Sequence, residues 1–220
     1  MLNNLTRLPN LYFTQAQLNI NIDEYDRLRM LLSLDERDRA DRLRHHSARQ
    51  NFVAARGNLR EILGAWLDCE PEDIQFGYGD RGKPFVQNHS VYFNLAHSQD
   101  LAIYVISNDY AVGIDLEYVD RGRDVIKIAK RYFAEAEQAL IMGAGDRYAQ
   151  QKTFFKAWTL KEAYAKATGQ GIANILNVDV AVLLKGDCHT LQIGEWQLKL
   201  IEHELAIAPD FVAAICWGCP

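Results

Sequence analysis

Cysteine is scarce in this chain: Cys69, Cys188, Cys216 and Cys219 are too few and too scattered for a disulfide scaffold. The last two form a C-x-x-C, but it follows the strand-like FVAAICW and lacks the second pair or helix start that a zinc or redox site needs. Long apolar runs are missing too, since none approaches the roughly 18 residues of a membrane span. The opening MLNNLTRLPN lacks the charged-then-apolar order of a signal peptide, so a cytoplasmic protein is expected. Nor is there an excess of positive charge: 24 Lys and Arg face 29 Asp and Glu, a formal charge of -5. That balance argues against a nucleic-acid binder and requires any anionic partner to be met by a local basic patch.

What is present is ordinary globular composition, 49% hydrophobic and 24% charged over 220 residues. This length supports one large domain or two of about 100 residues. A strand at 11–18 leads to Asn21 and Asp23, either of which can cap a helix to about Leu32. Ser33 and Glu36 form a capping box for a long charged helix, and FVAARGNLREILGAWL is a further helix. After Pro71 come turns and short strands: IQFGYG, the turn Asp80-Arg81-Gly82-Lys83-Pro84, VYFNLAHS, LAIYVIS and VGIDLE. Helices return at 125–133, 134–142 and 152–168, the last stopped by Gly169 and Gly171. VDVAVLL, TLQIGEW, QLKLIEH and FVAAICW then read as strands. Helices, a turn and several strands thus occur twice, which predicts an α+β protein of two similar halves, 1–109 and 110–220, meeting near residue 110. Ligands preferentially bind in clefts between such halves.

In VGIDLE, strand alternation puts Asp115 and Glu117 on one face, with Ile114 and Leu116 on the other. Such a pair is either a strand end emerging into solvent or a site that needs a cation between its charges. Hard oxygen ligands suit Mg²⁺, which takes one or two carboxylates, keeps some waters and completes its shell with phosphates. In W-T-L-K-E-A-Y-A-K, Trp158, Glu162 and Lys166 stand four apart on one helix face, a third carboxylate beside a phosphate-seeking cation. Alone, Glu162 and Lys166 are a routine surface ion pair. Lys83 in G-K-P and His97 in N-L-A-H-S are likewise weak signals singly.

Together, G-K-P-F, F-N-L-A-H-S, V-G-I-D-L-E and W-T-L-K-E-A-Y-A-K, in that order, resemble the Sfp-type 4′-phosphopantetheinyl transferases over roughly residues 33–171. The resemblance implies the two-half pseudo-twofold fold of that family and an enzyme that moves the phosphopantetheine arm of coenzyme A to a serine of an acyl or peptidyl carrier protein, releasing adenosine 3′,5′-bisphosphate. It implies Asp115, Glu117 and Glu162 as Mg²⁺ ligands, Glu162 as the base for the carrier serine, and Lys166 as a pyrophosphate contact that assists the leaving group. Lys83 and His97 match positions that contact coenzyme A phosphates. Ala96 stands where the family often has serine, with Ser98 as a substitute hydroxyl. Arg39 and Arg56 match the basic segment that reaches the nucleotide, Lys161 has a supporting role, and Glu137 matches an acidic position near the metal. The basic stretch Arg121, Arg123, Lys127, Lys130 and Arg131, opposed only by Asp120 and Asp124, is the expected dock for an acidic carrier. Length and duplication resemble the monomeric broad-specificity members, serving fatty-acid, polyketide or peptide synthetases. The alternatives are a non-catalytic coenzyme A or carrier-protein binding module of the same fold, which would not need the full carboxylate and lysine set, and a phosphate-ester hydrolase, which His97 and Lys83 disfavour.

Overall fold

A computed structural model describes residues 6–8 and 10–219. Strands β1 (Thr6–Leu8) and β2 (Leu11–Gln17) precede helices α1 (Ile22–Met30), α2 (Leu34–Asp41) and α3 (His46–Leu67). The short strands β3 (Phe76–Tyr78) and β4 (Pro84–Val86) form a hairpin, followed by β5 (Tyr92–Ser98) and β6 (Leu101–Ser107). Strand β7 (Val112–Tyr118) opens the second half, with α4 (Val125–Tyr132), α5 (Glu135–Gly143) and α6 (Arg147–Thr168) after it. Helix α7 (Ala181–Lys185), β8 (Leu191–Ile193), β9 (Trp196–Leu200), α8 (Glu202–Leu205) and β10 (Phe211–Gly218) complete the order. The fold is mixed α+β, with one antiparallel sheet ordered β1-β2-β6-β5 and another ordered β7-β10-β9-β8.

Each sheet carries one long helix on one face. In the first half Ala102, Tyr104 and Ile106 of β6 pack with Val53, Leu59 and Leu63 of α3. In the second, Val212, Ala214 and Cys216 of β10 pack with Leu160, Ala163 and Ala167 of α6. The opposite faces of both sheets share a third cluster, where Leu101, Ile103 and Val105 meet Ile114, Leu116, Ala213 and Ile215. Central strand β6 is therefore apolar on both faces, which is why it reads as a continuous hydrophobic run.

Several elements differ from the sequence reading. VDVAVLL contains a helical turn, α7, closed by Gly186 in the left-handed conformation, because a short apolar run bounded by polar residues fits a buried helix as well as a strand. QLKLIEH divides between β9 and α8. Helices α3 and α6 each begin earlier than their apolar periodicity, at His46 and Arg147, through polar first turns that carry no amphipathic signal. The charged helix at Ser33 is only eight residues long, but its capping box is present: Ser33 N–H donates to Glu36 Oε2 at 3.0 Å.

Candidate active site

Strand β7 lies directly on α6. A Cβ added to Gly113 would sit 2.2 Å from Ala163 O and 2.3 Å from Ala167 N, so only glycine allows the two backbones to cross. That crossing brings the Asp115 and Glu117 face of β7 against the helix bearing Glu162 and Lys166. Lys166 Nζ sits 2.6 Å from Asp115 Oδ1, while Asp115 Oδ2 is buried without a hydrogen-bond partner. Trp158, on the same helix face, stacks on Phe154 at 6.1 Å between centroids.

Burial raises all three carboxyls, and the Asp115 charge adds to the rise of the other two. Burial above all, then Asp115 and Glu162, push the Glu117 carboxyl up to about 7, against the pull of Arg123 and Lys166. Burial and the Asp115 charge raise Glu162, with Lys166 opposing. Asp115 is raised by burial and drawn back by Lys166. Among the described residues no three His, Cys, Asp or Glu side chains close into a metal cage. A hard cation that takes one or two carboxylates and fills its shell with water and phosphate needs no such cage. The unpartnered Asp115 Oδ2 and the crowded charges beside it fit such a cation, and Asp115, Glu117 and Glu162 are the residues that would hold it.

A chain of cavities with shared walls reaches Lys166, the partner of Asp115. One of about 250 Å³ is lined by Arg39, Arg56, Tyr78, Gly82, Asn94 and His97, among others. It shares Phe52 and His97 with a cavity of about 550 Å³ that also contains Ser98. On its other side it shares Gly82, Pro84 and Asn94 with one of about 230 Å³ lined by Arg81, Lys83 and Lys166. The structure thus assembles Arg39, Arg56, Lys83, His97, Ser98 and Lys166 along one groove at the junction of the halves. Partial burial, then the Lys166 charge, hold His97 below the usual imidazole range.

Not every expected residue faces that groove freely. Arg39 is exposed, its guanidinium 5.2 Å from the Phe52 ring centroid. Arg56 is committed to a buried network: its Nε pairs with Glu36 Oε1 at 2.7 Å, and its Nη2 donates to the Tyr78 hydroxyl at 2.7 Å. Lys161 is fully buried and turned away. It pairs with Glu137 at 2.9 Å and donates to the carbonyls of Leu176 and Val178. Burial pulls that lysine below its ordinary range, with Glu137 resisting. Glu137 also accepts from the N–H groups of Val180 and Ala134, so it organises α5 and the segment after α6. Lys83 Nζ donates to Val112 O at 2.8 Å and Lys166 O at 2.7 Å. The Ser98 hydroxyl accepts from Tyr118 N–H at 3.0 Å. Sequence reasoning missed Asn94, whose Oδ1 accepts from Ile114 N–H at 2.8 Å, and the role of Gly113. The glycine inside a strand pattern was the available signal for the latter.

Arg121, Arg123, Lys127, Lys130 and Arg131 are all exposed after β7. Arg121 lies 3.4 Å from Asp210 and over the Tyr148 ring, which anchors the start of this basic stretch. Among the described residues no helix is long and apolar enough to cross a membrane.

Residues 111–216 match a family model described as the 4′-phosphopantetheinyl transferase superfamily. The 4′-phosphopantetheinyl transferase HetI of a Nostoc species is 38% identical over 191 residues, which cover 84% of this chain and 80% of that protein. Psf-1 of Bacillus pumilus, also a 4′-phosphopantetheinyl transferase, is 30% identical over 199 residues, 90% of this chain and 83% of its own. Sfp of Bacillus subtilis, of the same description, is 25% identical over 90% of this chain and 87% of its own.

Proposed function

The chain belongs to the 4′-phosphopantetheinyl transferase superfamily and is an enzyme of that kind, and from this premise we propose that it moves the phosphopantetheine arm of coenzyme A to a serine hydroxyl of an acyl or peptidyl carrier protein. The observation that carries the reading is the Lys166–Asp115 contact with its unpartnered second carboxylate oxygen, where Lys166 also lines a cavity adjoining the one walled by Arg39, Arg56 and His97. The groove offers cations to the nucleotide phosphates, and the carboxylate cluster stands where the pyrophosphate would lie.

The reaction forms a bond from the serine oxygen to the phosphorus that carries the pantetheine arm and breaks that phosphorus's bond to the bridging oxygen. Adenosine 3′,5′-bisphosphate departs with the electron pair. Asp115, Glu117 and Glu162 would hold Mg²⁺, which when bound would supply charge neutralisation of the pyrophosphate. Glu162 takes the serine proton, since a serine hydroxyl is a weak nucleophile until a base removes its proton during attack. Lys166 steadies Asp115 and offers its positive charge to the departing phosphate. His97 and Arg39 hold the nucleotide end, so the arm's phosphorus is fixed for in-line attack. The exposed stretch from Arg121 to Arg131 steers the acidic carrier to the cleft.

The test is to incubate the protein with coenzyme A, Mg²⁺ and apo carrier proteins of several types and weigh the carrier. Addition of phosphopantetheine is expected, and an unmodified carrier in every case would sink the reading. Glu162→Ala should abolish the addition while leaving the urea midpoint nearly unchanged, and retained activity would remove Glu162 from the chemistry.

A further inference from the structure

The edge of β7 that faces β5 is not joined to it by a backbone ladder, since the two strands belong to different sheets. Three side chains of the first half meet that edge instead. Lys83 Nζ donates to Val112 O at 2.8 Å, Ile114 N–H donates to Asn94 Oδ1 at 2.8 Å, and Tyr118 N–H donates to Ser98 Oγ at 3.0 Å. The three backbone partners flank Asp115 and Glu117 along one strand. Lys83 also reaches Lys166 O at 2.7 Å, so one ammonium spans β7 and α6 just where Gly113 lets them cross. Beside it, Arg81 Nη1 donates to Gly169 O at 2.8 Å, a cation on the C-terminal carbonyls of the helix that carries Glu162.

We propose that Lys83, Asn94 and Ser98 are positioning residues that lock the carboxylate strand against the nucleotide-binding groove. Buried backbone groups on an open strand edge need partners, and here the first half supplies them through side chains. The same β5 and hairpin residues adjoin the groove on one side and grip the β7 edge on the other. The groups that hold the phosphates and the groups that act on them are thereby kept at a fixed separation. Positioning of this order matters because a displacement of about 1 Å at a reacting centre costs roughly a hundredfold in rate. This inference rests on the transferase reading, and it assigns Lys83 and Ser98 a different task from the direct phosphate contact that their motif positions imply.

The experiment compares Ser98→Ala with Ser98→Thr, and Asn94→Leu with Asn94→Asp, with Lys83→Met alongside. For each, kcat with saturating apo carrier, the Kd for coenzyme A by calorimetry, and amide hydrogen exchange at residues 114 and 118 are measured. Ser98→Ala and Asn94→Leu should lower kcat by roughly tenfold or more, with the coenzyme A Kd moving less than about twofold. Exchange should quicken at Tyr118 and Ile114 respectively. Ser98→Thr and Asn94→Asp keep an acceptor oxygen and should recover most of the rate, whereas a phosphate contact would be repelled by the added aspartate. Rates are taken per folded molecule, and the Ser98 pair decides the matter if Lys83→Met does not fold. Weakened coenzyme A binding with kcat preserved, or exchange at both amides unchanged, overturns the proposal. If the wild type modifies no carrier, the transferase reading fails by itself, and the exchange data still decide whether the seam exists.

Discussion

Replacing Gly113 by alanine tests the crossing on which the site is built. The added Cβ would lie 2.2 Å from Ala163 O and 2.3 Å from Ala167 N, whereas an ordinary carbon–oxygen contact is about 3.3 Å or more. Both obstructing atoms are backbone of α6, so no rotamer change relieves them, and β7 must move off the helix by about 1 Å. Overpacking of this kind costs about 1–3 kcal/mol, and a crossing fixed on both sides belongs at the upper end. Acting against it, alanine restricts the unfolded chain and favours folding by about 0.4–1 kcal/mol, so a loose crossing would give a stabilised protein. The sign of the effect therefore decides the question. With a urea slope of about 1–3 kcal/mol/M, the midpoint should fall by roughly 1 M or more. Phosphopantetheine transfer per folded molecule should also drop by roughly a hundredfold, because Asp115 and Glu117 ride on the displaced strand. Gly143→Ala, which meets nothing within 4 Å, is the control and should be neutral or slightly stabilising. An unchanged or raised midpoint in Gly113→Ala, with wild-type turnover, would refute the close crossing.

Glu36→Ala strips the shared partner from Arg56 and Arg60, both buried, and should cost about 3–5 kcal/mol in urea unfolding; a loss below about 1 kcal/mol would mean that the guanidiniums find water. Burial disfavours the charge of Lys83 and pulls it from the ordinary lysine value of 10.5 down to about 8. Between those values the unfolded chain holds the extra proton, so stability should climb as pH rises from about 8 to 10.5, by up to about 3 kcal/mol, and Lys83→Met should lose that slope. Arg121→Glu with Lys127→Glu should lower kcat/KM for an acidic carrier by roughly tenfold at low salt and by much less at high salt, while leaving the coenzyme A Kd alone. Equal rates at low salt would remove this stretch from docking.

Period-two alternation was enough to pair Asp115 with Glu117, and four-residue spacing was enough to align Glu162 with Lys166, because these are properties of a single strand and a single helix. The doubling of helices and strands was legible for the same reason. What a lone sequence does not carry is which backbone groups of a distant strand a side chain will meet. Asn94, Ser98 and Lys83 belong to motifs, yet every amide or carbonyl they engage across the junction of the halves lies 20 or more residues away. Lys161 shows the same limit: it sits beside Glu162 in the motif, but the helix turn sends it into the core against Glu137. The early starts of α3 and α6 were hidden because polar first turns have no apolar stripe to read.

The duplication itself separates scaffold from chemistry. Strand β7 spans the positions of β2 shifted by 101 residues, and α6 spans those of α3 by the same shift. Each long helix ends on a residue in the left-handed conformation, Asp68 in one half and Gly169 in the other. In each half the short preceding helix has a buried glutamate at its third position, Glu36 or Glu137, that accepts from its own N-cap N–H at 3.0 Å. That glutamate pairs with a cation on the long helix, Arg60 or Lys161, which also donates to two carbonyls of the segment that follows. Arg60 and Lys161 are again 101 residues apart, so Lys161 belongs to the inherited frame despite its place in the functional motif. The residues that differ between equivalent positions tell the opposite story. Asp115, Glu117 and Lys166 replace Thr14, Ala16 and Ala65, while Glu61, the counterpart of Glu162, pairs with Arg27 on the first half's surface. A frame built twice thus holds one carboxylate cluster, in the half that carries α6. The other half turns its hairpin and β5 toward the cavities and the edge of β7.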